Sequence, residues 1–134
     1  MSKLFALLLT LFAVASGCSS KEVKVRVSSD PKTNGGLPFY VVCRSVEGGT
    51  FVTESPEIVS KKVFASPKDP SVLRAEVIYP GVDKEVRFDK PQALPLAIYF
   101  LFTKPGEHWK TSRDQPVPSS VDIELSGNQI KREG

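Results

Sequence analysis

The sequence predicts an all-β protein, a two-layer antiparallel β-sandwich with one short helix, on three observations. Apolar and polar residues alternate with the two-residue period of half-buried strands in several short segments, Val23-Lys24-Val25-Arg26-Val27-Ser28 being the cleanest. Turns rich in proline and glycine, which number 11 and 9 in 134 residues, separate some seven such segments. A helix-start signal occurs once. Runs of strands without regularly interleaved helices describe a sandwich and not an alternating α/β sheet.

The chain opens with Lys3, an apolar run of twelve residues from Leu4 to Ala15 interrupted only by Thr10, and the small residues Ala15-Ser16-Gly17. A bilayer-crossing helix needs about 20 apolar residues, and small residues behind a shorter run suit a cleavage site. Residues 1–17 therefore read as a signal peptide. Cys18 follows directly, and its place after Ala-Ser-Gly resembles the lipobox of bacterial lipoproteins, with Ala15 where leucine is usual. The resemblance implies a diacylglycerol on the Cys18 thiol and an acyl chain on the new amine. With Ser19 and not aspartate next, it also implies delivery to the outer membrane. Each buried methylene contributes about 0.8 kcal/mol, so such chains anchor durably. Residues 18–22 then form a lipidated tether and 23–134 the sandwich domain.

Beyond the first strand, Asp30-Pro31 and Asn34-Gly35-Gly36 collect turn formers that no regular element tolerates, so Ser29 to Gly36 is an exposed loop. Leu37 to Val46 returns to strand composition and ends at Glu47-Gly48-Gly49. Both glycine pairs are expected to act as hairpin-type turns. Ser55-Pro56-Glu57 offers a capping serine, a proline in the first turn and an early acid, which predicts a helix over roughly Pro56 to Phe64. Pro67 and Pro70 end it. Strands follow at Leu73 to Tyr79 and Glu85 to Phe88, divided by Pro80-Gly81. Leu94 to Phe102 is nearly continuous in apolar residues, as in a central strand covered on both faces, with Pro95 confining the paired part to Leu96 onward. Val121 to Leu125 alternates and gives way to Ser126-Gly127-Asn128.

Composition excludes several functions. Loss of Lys3 with the leader takes one of 18 basic residues against 15 acidic, and the remaining basic residues are dispersed, so no nucleic-acid partner is expected. With Cys18 acylated, Cys43 has no partner within the chain for a disulfide, and its place beside Phe39 and Val41 on one strand face predicts a small buried core residue. The single histidine, His108, has Glu107 beside it but no further ligands at suitable spacing, so no metal, cofactor or catalytic residue is assigned. Partners that meet only in space leave a Cys43-His108 couple open. Trp109, the lone tryptophan, is expected to pack over the end of the sandwich and not to serve as a binding anchor.

Several separated features together resemble the outer-membrane lipoprotein of the type VI secretion system, the TssJ family. They are the acylated cysteine, the alternating first strand, the Asn/Gly/Pro-rich loop, and Leu37 to Val46 followed by Phe51. Further along come Pro80-Gly81, the apolar strand ending in Phe102, His108-Trp109-Lys110 where the family has Trp-Arg, and Val121 to Ile130. The resemblance implies a transthyretin-like sandwich tethered to the outer membrane and facing the periplasm. Its implied role is structural and not enzymatic: it recruits the periplasmic C-terminal domain of the IcmF-like inner-membrane protein, TssM, along with other membrane-complex subunits. It also implies that the loop between the first two strands, Asp30, Pro31, Lys32, Thr33, Asn34, Gly35 and Gly36, contacts the partner. The residues alone leave two other readings open, a pilotin-like lipoprotein of another secretion system and a lipid-tethered periplasmic binding or inhibitor module.

Overall fold

The computed structural model describes residues 21–134, so the leader, Cys18 and the serines behind it lie outside the described residues. Two four-stranded sheets face each other. The first has the order β4-β1-β7-β8, from β4 (Lys84–Asp89), β1 (Glu22–Ser29), β7 (Ser120–Ser126) and β8 (Gln129–Glu133). The second has the order β3-β2-β5-β6, from β3 (Val72–Ile78), β2 (Phe39–Ser45), β5 (Leu96–Leu101) and β6 (Lys110–Arg113). Period-two burial drives the pairing. Val23, Val25 and Val27 of β1, with Val121, Ile123 and Leu125 of β7, turn inward toward Val41, Cys43, Leu96, Ile98 and Phe100 of the opposite sheet. Full enclosure of one such side chain contributes about 1.5–3 kcal/mol.

The all-β sandwich is as the sequence predicts, and the structure adds four particulars. β1 and β7 run parallel, Val25 opposite Val121, because the chain between them travels through the other sheet. β6 and β8 were not expected as strands. Their polar sequences, Lys-Thr-Ser-Arg and Gln-Ile-Lys-Arg-Glu, carry almost no apolar alternation and owe their extension to a paired neighbour. Gly48-Gly49 opens a first short helix, α1 (Gly48–Thr53), and is not a hairpin turn. Gly35-Gly36 likewise lies in a short 3-10 turn, Thr33–Gly36, within a connection that crosses from the first sheet to the second.

The expected helix is α2 (Pro56–Val63), its Ser55 hydroxyl accepting from the Ile58 amide at 3.3 Å. Together α1 and α2 cover the outer face of β2 and β5, where Val59 is fully enclosed and the Phe51 ring lies 5.8 Å from that of Tyr99. This explains the unbroken apolar run of β5, covered by the first sheet on one side and the helices on the other.

Both open sides of the sandwich are bridged by an acid. Glu76 on edge strand β3 accepts from Lys84 of β4 at 2.8 Å and from Arg74 at 2.7 Å. On the other side Glu133 of β8 accepts from Thr111 and Arg113 of β6 at 2.5 and 2.9 Å. Charged residues at edges also discourage pairing with foreign strands.

Candidate functional site

Strand direction sorts the connections onto two poles. β1 enters at Glu22, level with Asp89 of β4, and leaves at Ser29, where the 30–38 connection begins. The turn after β3, the connection after β5 and the β7–β8 turn end on that same pole. The segment singled out from sequence therefore sits at the far end from the chain's entry, about 26 Å away at roughly 3.3 Å per residue along β1.

Asn34 organises this pole. Its backbone has φ 55°, a left-handed conformation that asparagine tolerates better than most residues. Its amide N–H donates to the Gly127 carbonyl at 2.7 Å, its Oδ1 accepts from the Thr103 amide at 2.8 Å, and its Nδ2 donates to the Leu37 carbonyl at 3.0 Å. One residue thus ties together three connections, its side chain joining the 30–38 and 102–109 segments and its backbone reaching the β7–β8 turn. Asn128 repeats the device, its Nδ2 donating to the Lys104 carbonyl at 2.6 Å while its own carbonyl accepts from Gly106 at 2.9 Å. The β3–β4 turn is held close as well: a Cβ on Gly81, at φ 84°, would come within 3.2 Å of the Pro31 ring.

The seven loop residues divide into framework and surface. Thr33 and Asn34 are buried, whereas Asp30, Pro31, Lys32, Gly35 and Gly36 are exposed. Asp30 faces solvent yet spends its carboxylate locally, accepting from the Lys32 amide at 2.8 Å. Between these loops lies an open cleft of about 470 Å³, lined by Asn34, Gly35, Leu37, Thr103, Lys104, Gly127 and Asn128. A larger concavity of about 660 Å³ lies along the first sheet. Its central Arg26 is already engaged, 3.2 Å from Glu85 and 3.7 Å from Asp122.

A second polar constellation was missed from sequence. Arg44, buried on β2, pairs with Glu54 from the α1–α2 junction. The same carboxylate accepts from Tyr99 Oη at 2.9 Å and Lys62 Nζ at 3.0 Å, while Arg44 Nε donates to Ser71 Oγ at 3.0 Å. Burial pushes the Glu54 carboxyl upward, but the hydrogen bonds from Arg44, Lys62 and Tyr99 outweigh it and hold it below the usual carboxylate range. Burial and the Glu54 hydrogen bond raise the Tyr99 phenol. Lys110 completes the assembly by donating to the carbonyls of Phe51 and Glu54, capping the end of α1. Burial lowers its pKa. An arginine within the apolar stretch Phe39 to Val46 was the available signal, since a charge in a covered strand must find a partner.

This constellation has the chemistry of a clamp, with its acid neutralised and its phenol held protonated. Cys43 is enclosed in the core and burial drives its pKa up, while His108 lies half exposed with Nε2 3.2 Å from Glu133, so the structure gives the two no common site. Trp109 is buried, 5.7 Å from the Tyr99 ring, as expected of a packing residue.

Solved structures of type VI secretion proteins share this arrangement. The chain is 14% identical to a chain in the structure of the type VI secretion protein TssM C-terminal domain from EAEC, covering 84% of this chain and 97% of that one with a TM-score of 0.66. It is 13% identical to Serratia marcescens Lip, a membrane bound component of the type VI secretion system, over 86% and 98% of the two chains with a TM-score of 0.64. With the lipoprotein TssJ1 of Pseudomonas aeruginosa the identity is 14%, the coverage 85% and 95%, and the TM-score 0.59. No curated protein sequence matches the chain. The fold is that of the TssJ lipoproteins, in agreement with the sequence resemblance. Residues 40–125, from the start of β2 to the end of the β7 core, match the model of the IglE N-terminal domain, and the chain belongs to that family.

Proposed function

We propose that this protein is a lipid-anchored assembly subunit of a type VI secretion membrane complex. Acyl chains on Cys18 hold it to the periplasmic face of the outer membrane, and the Asp30–Gly36 loop contributes to binding the periplasmic C-terminal domain of an IcmF-like inner-membrane protein. The role is scaffolding and not catalysis. The observation that carries the reading is the polarity of the sandwich. β1 starts at Glu22, four residues after Cys18, and its other end leads into the loop. A short tether at one pole turns the opposite pole toward whatever approaches from across the periplasm. Family membership and the shared fold support the same reading.

Cys18→Ser tests the anchor: the variant is expected to leave the outer-membrane fraction and to abolish secretion, and unchanged fractionation would overturn it. For partner binding, the full-length lipidated protein in detergent is titrated with the cognate IcmF-like periplasmic domain. Saturable binding is expected, and its absence would sink the assembly role. Because Thr33 and Asn34 belong to the framework, the exposed Lys32 is the residue to change. Lys32→Glu should weaken binding without altering the melting temperature, and retained affinity would move the contact off this loop.

A further inference from the structure

Resting on the assembly reading and going into the chemistry of the partner, we propose that the cleft between the 30–38, 102–109 and 127–128 connections receives an acidic side chain carried on an apolar segment of the partner protein. Lys104 is its ionic contact and Leu37 its apolar wall.

Lys104 is the one charged residue among those lining the cleft. Its ammonium has no carboxylate partner among the described residues; the same holds for Lys32, Lys61 and Lys68, but of these Lys104 is the one that lines the cleft. Leu37, 55% exposed, adds an aliphatic surface beside it. The two asparagine side chains are already engaged, and the Thr103 hydroxyl is the other exposed polar side-chain group in the lining. Asn34 and Asn128 spend their amides on Leu37 and Lys104 carbonyls, so they shape the walls and leave the lysine amine as the free ionic group. A cleft already bonded in place binds without first ordering its loops, which removes one of the larger costs of association.

Charge selects the occupant: a basic, apolar-walled cleft rewards a carboxylate and repels a lysine.

The test titrates the full-length lipidated protein with the cognate IcmF-like periplasmic domain and treats the complex with a zero-length carbodiimide, which joins a lysine amine to a carboxylate in contact with it. Lys104→Glu is expected to weaken binding by about tenfold, more at low salt than at high, and Leu37→Ser by several-fold, with melting temperatures unchanged. Lys104→Arg should bind nearly as wild type yet lose the cross-link that mass spectrometry finds between Lys104 and a partner Asp or Glu. Should Lys32→Glu weaken binding while Lys104→Glu and Leu37→Ser do not, with no Lys104 cross-link formed, the cleft inference is wrong and the assembly reading stands. A wild-type protein that fails to bind at all overturns both.

Discussion

Arg44 and Glu54 form an ion pair in the layer between the second sheet and its helical cover, with side chains only 1% and 4% exposed. Lys62, Tyr99 and Ser71 complete the hydrogen bonding around the pair, and among the described residues no buried side-chain nitrogen or oxygen lacks a partner. The arrangement fastens α1 and α2 to β2 from the junction between the helices. Removing one member is then far worse than removing both.

Glu54→Ala leaves a guanidinium buried without its carboxylate and is expected to lower stability by about 3–5 kcal/mol in urea unfolding. The double variant Arg44→Met, Glu54→Leu should recover most of that loss. Equal destabilisation of the single and double variants would contradict the clamp.

Acid should undo the structure through three carboxyls. Burial raises Glu54, Glu76 and Glu133, but hydrogen bonds from basic and hydroxyl neighbours bring each below the ordinary 4.5. A carboxyl with a lower pKa folded than unfolded contributes stability that is complete above the unfolded value and vanishes as pH falls through the folded one. Melting temperature is therefore expected to be level above about pH 6 and to drop below about pH 4.5. A Glu54→Gln protein, less stable throughout, should show a shallower acid limb.

Asn34 combines a left-handed backbone with a three-way hydrogen-bond role. Asn34→Gly keeps the conformation but orphans the Thr103 amide, costing roughly 1–3 kcal/mol. Asn34→Ala adds about 1 kcal/mol for the positive φ. Thermal melts should rank wild type above glycine and glycine above alanine; alanine equal to wild type would refute the role assigned to this side chain.

The Cys43 thiol, enclosed and shifted upward by burial, should resist alkylation in the folded protein at pH 8 and react fully in denaturant. Mass spectrometry after an iodoacetamide pulse gives the answer, and rapid native labelling would mean that the core opens around β2.

Much of this architecture could be read along the chain. Valine at every second position foretold β1, Ser55-Pro56 foretold the start of α2, and the apolar run after Pro95 foretold a strand beginning at Leu96. The Asp30–Gly36 segment was recognisable as a loop from its turn formers. Its division into buried Thr33 and Asn34 and exposed Lys32 was not, because that depends on Gly127 and Thr103, which arrive from distant parts of the chain.

What is local in physics was local in the letters: alternation, capping and turn chemistry act over a few residues, so sandwich class and most strands were settled there. Tertiary structure alone decided the parallel β1–β7 pairing, the polar strands β6 and β8, the Arg44–Glu54 clamp and the cleft at Lys104. Each of these requires groups far apart in sequence to become neighbours. A polar strand is stabilised by the ladder that accepts it, and a buried charge by the partner that meets it, and neither partner is named by the residues alongside.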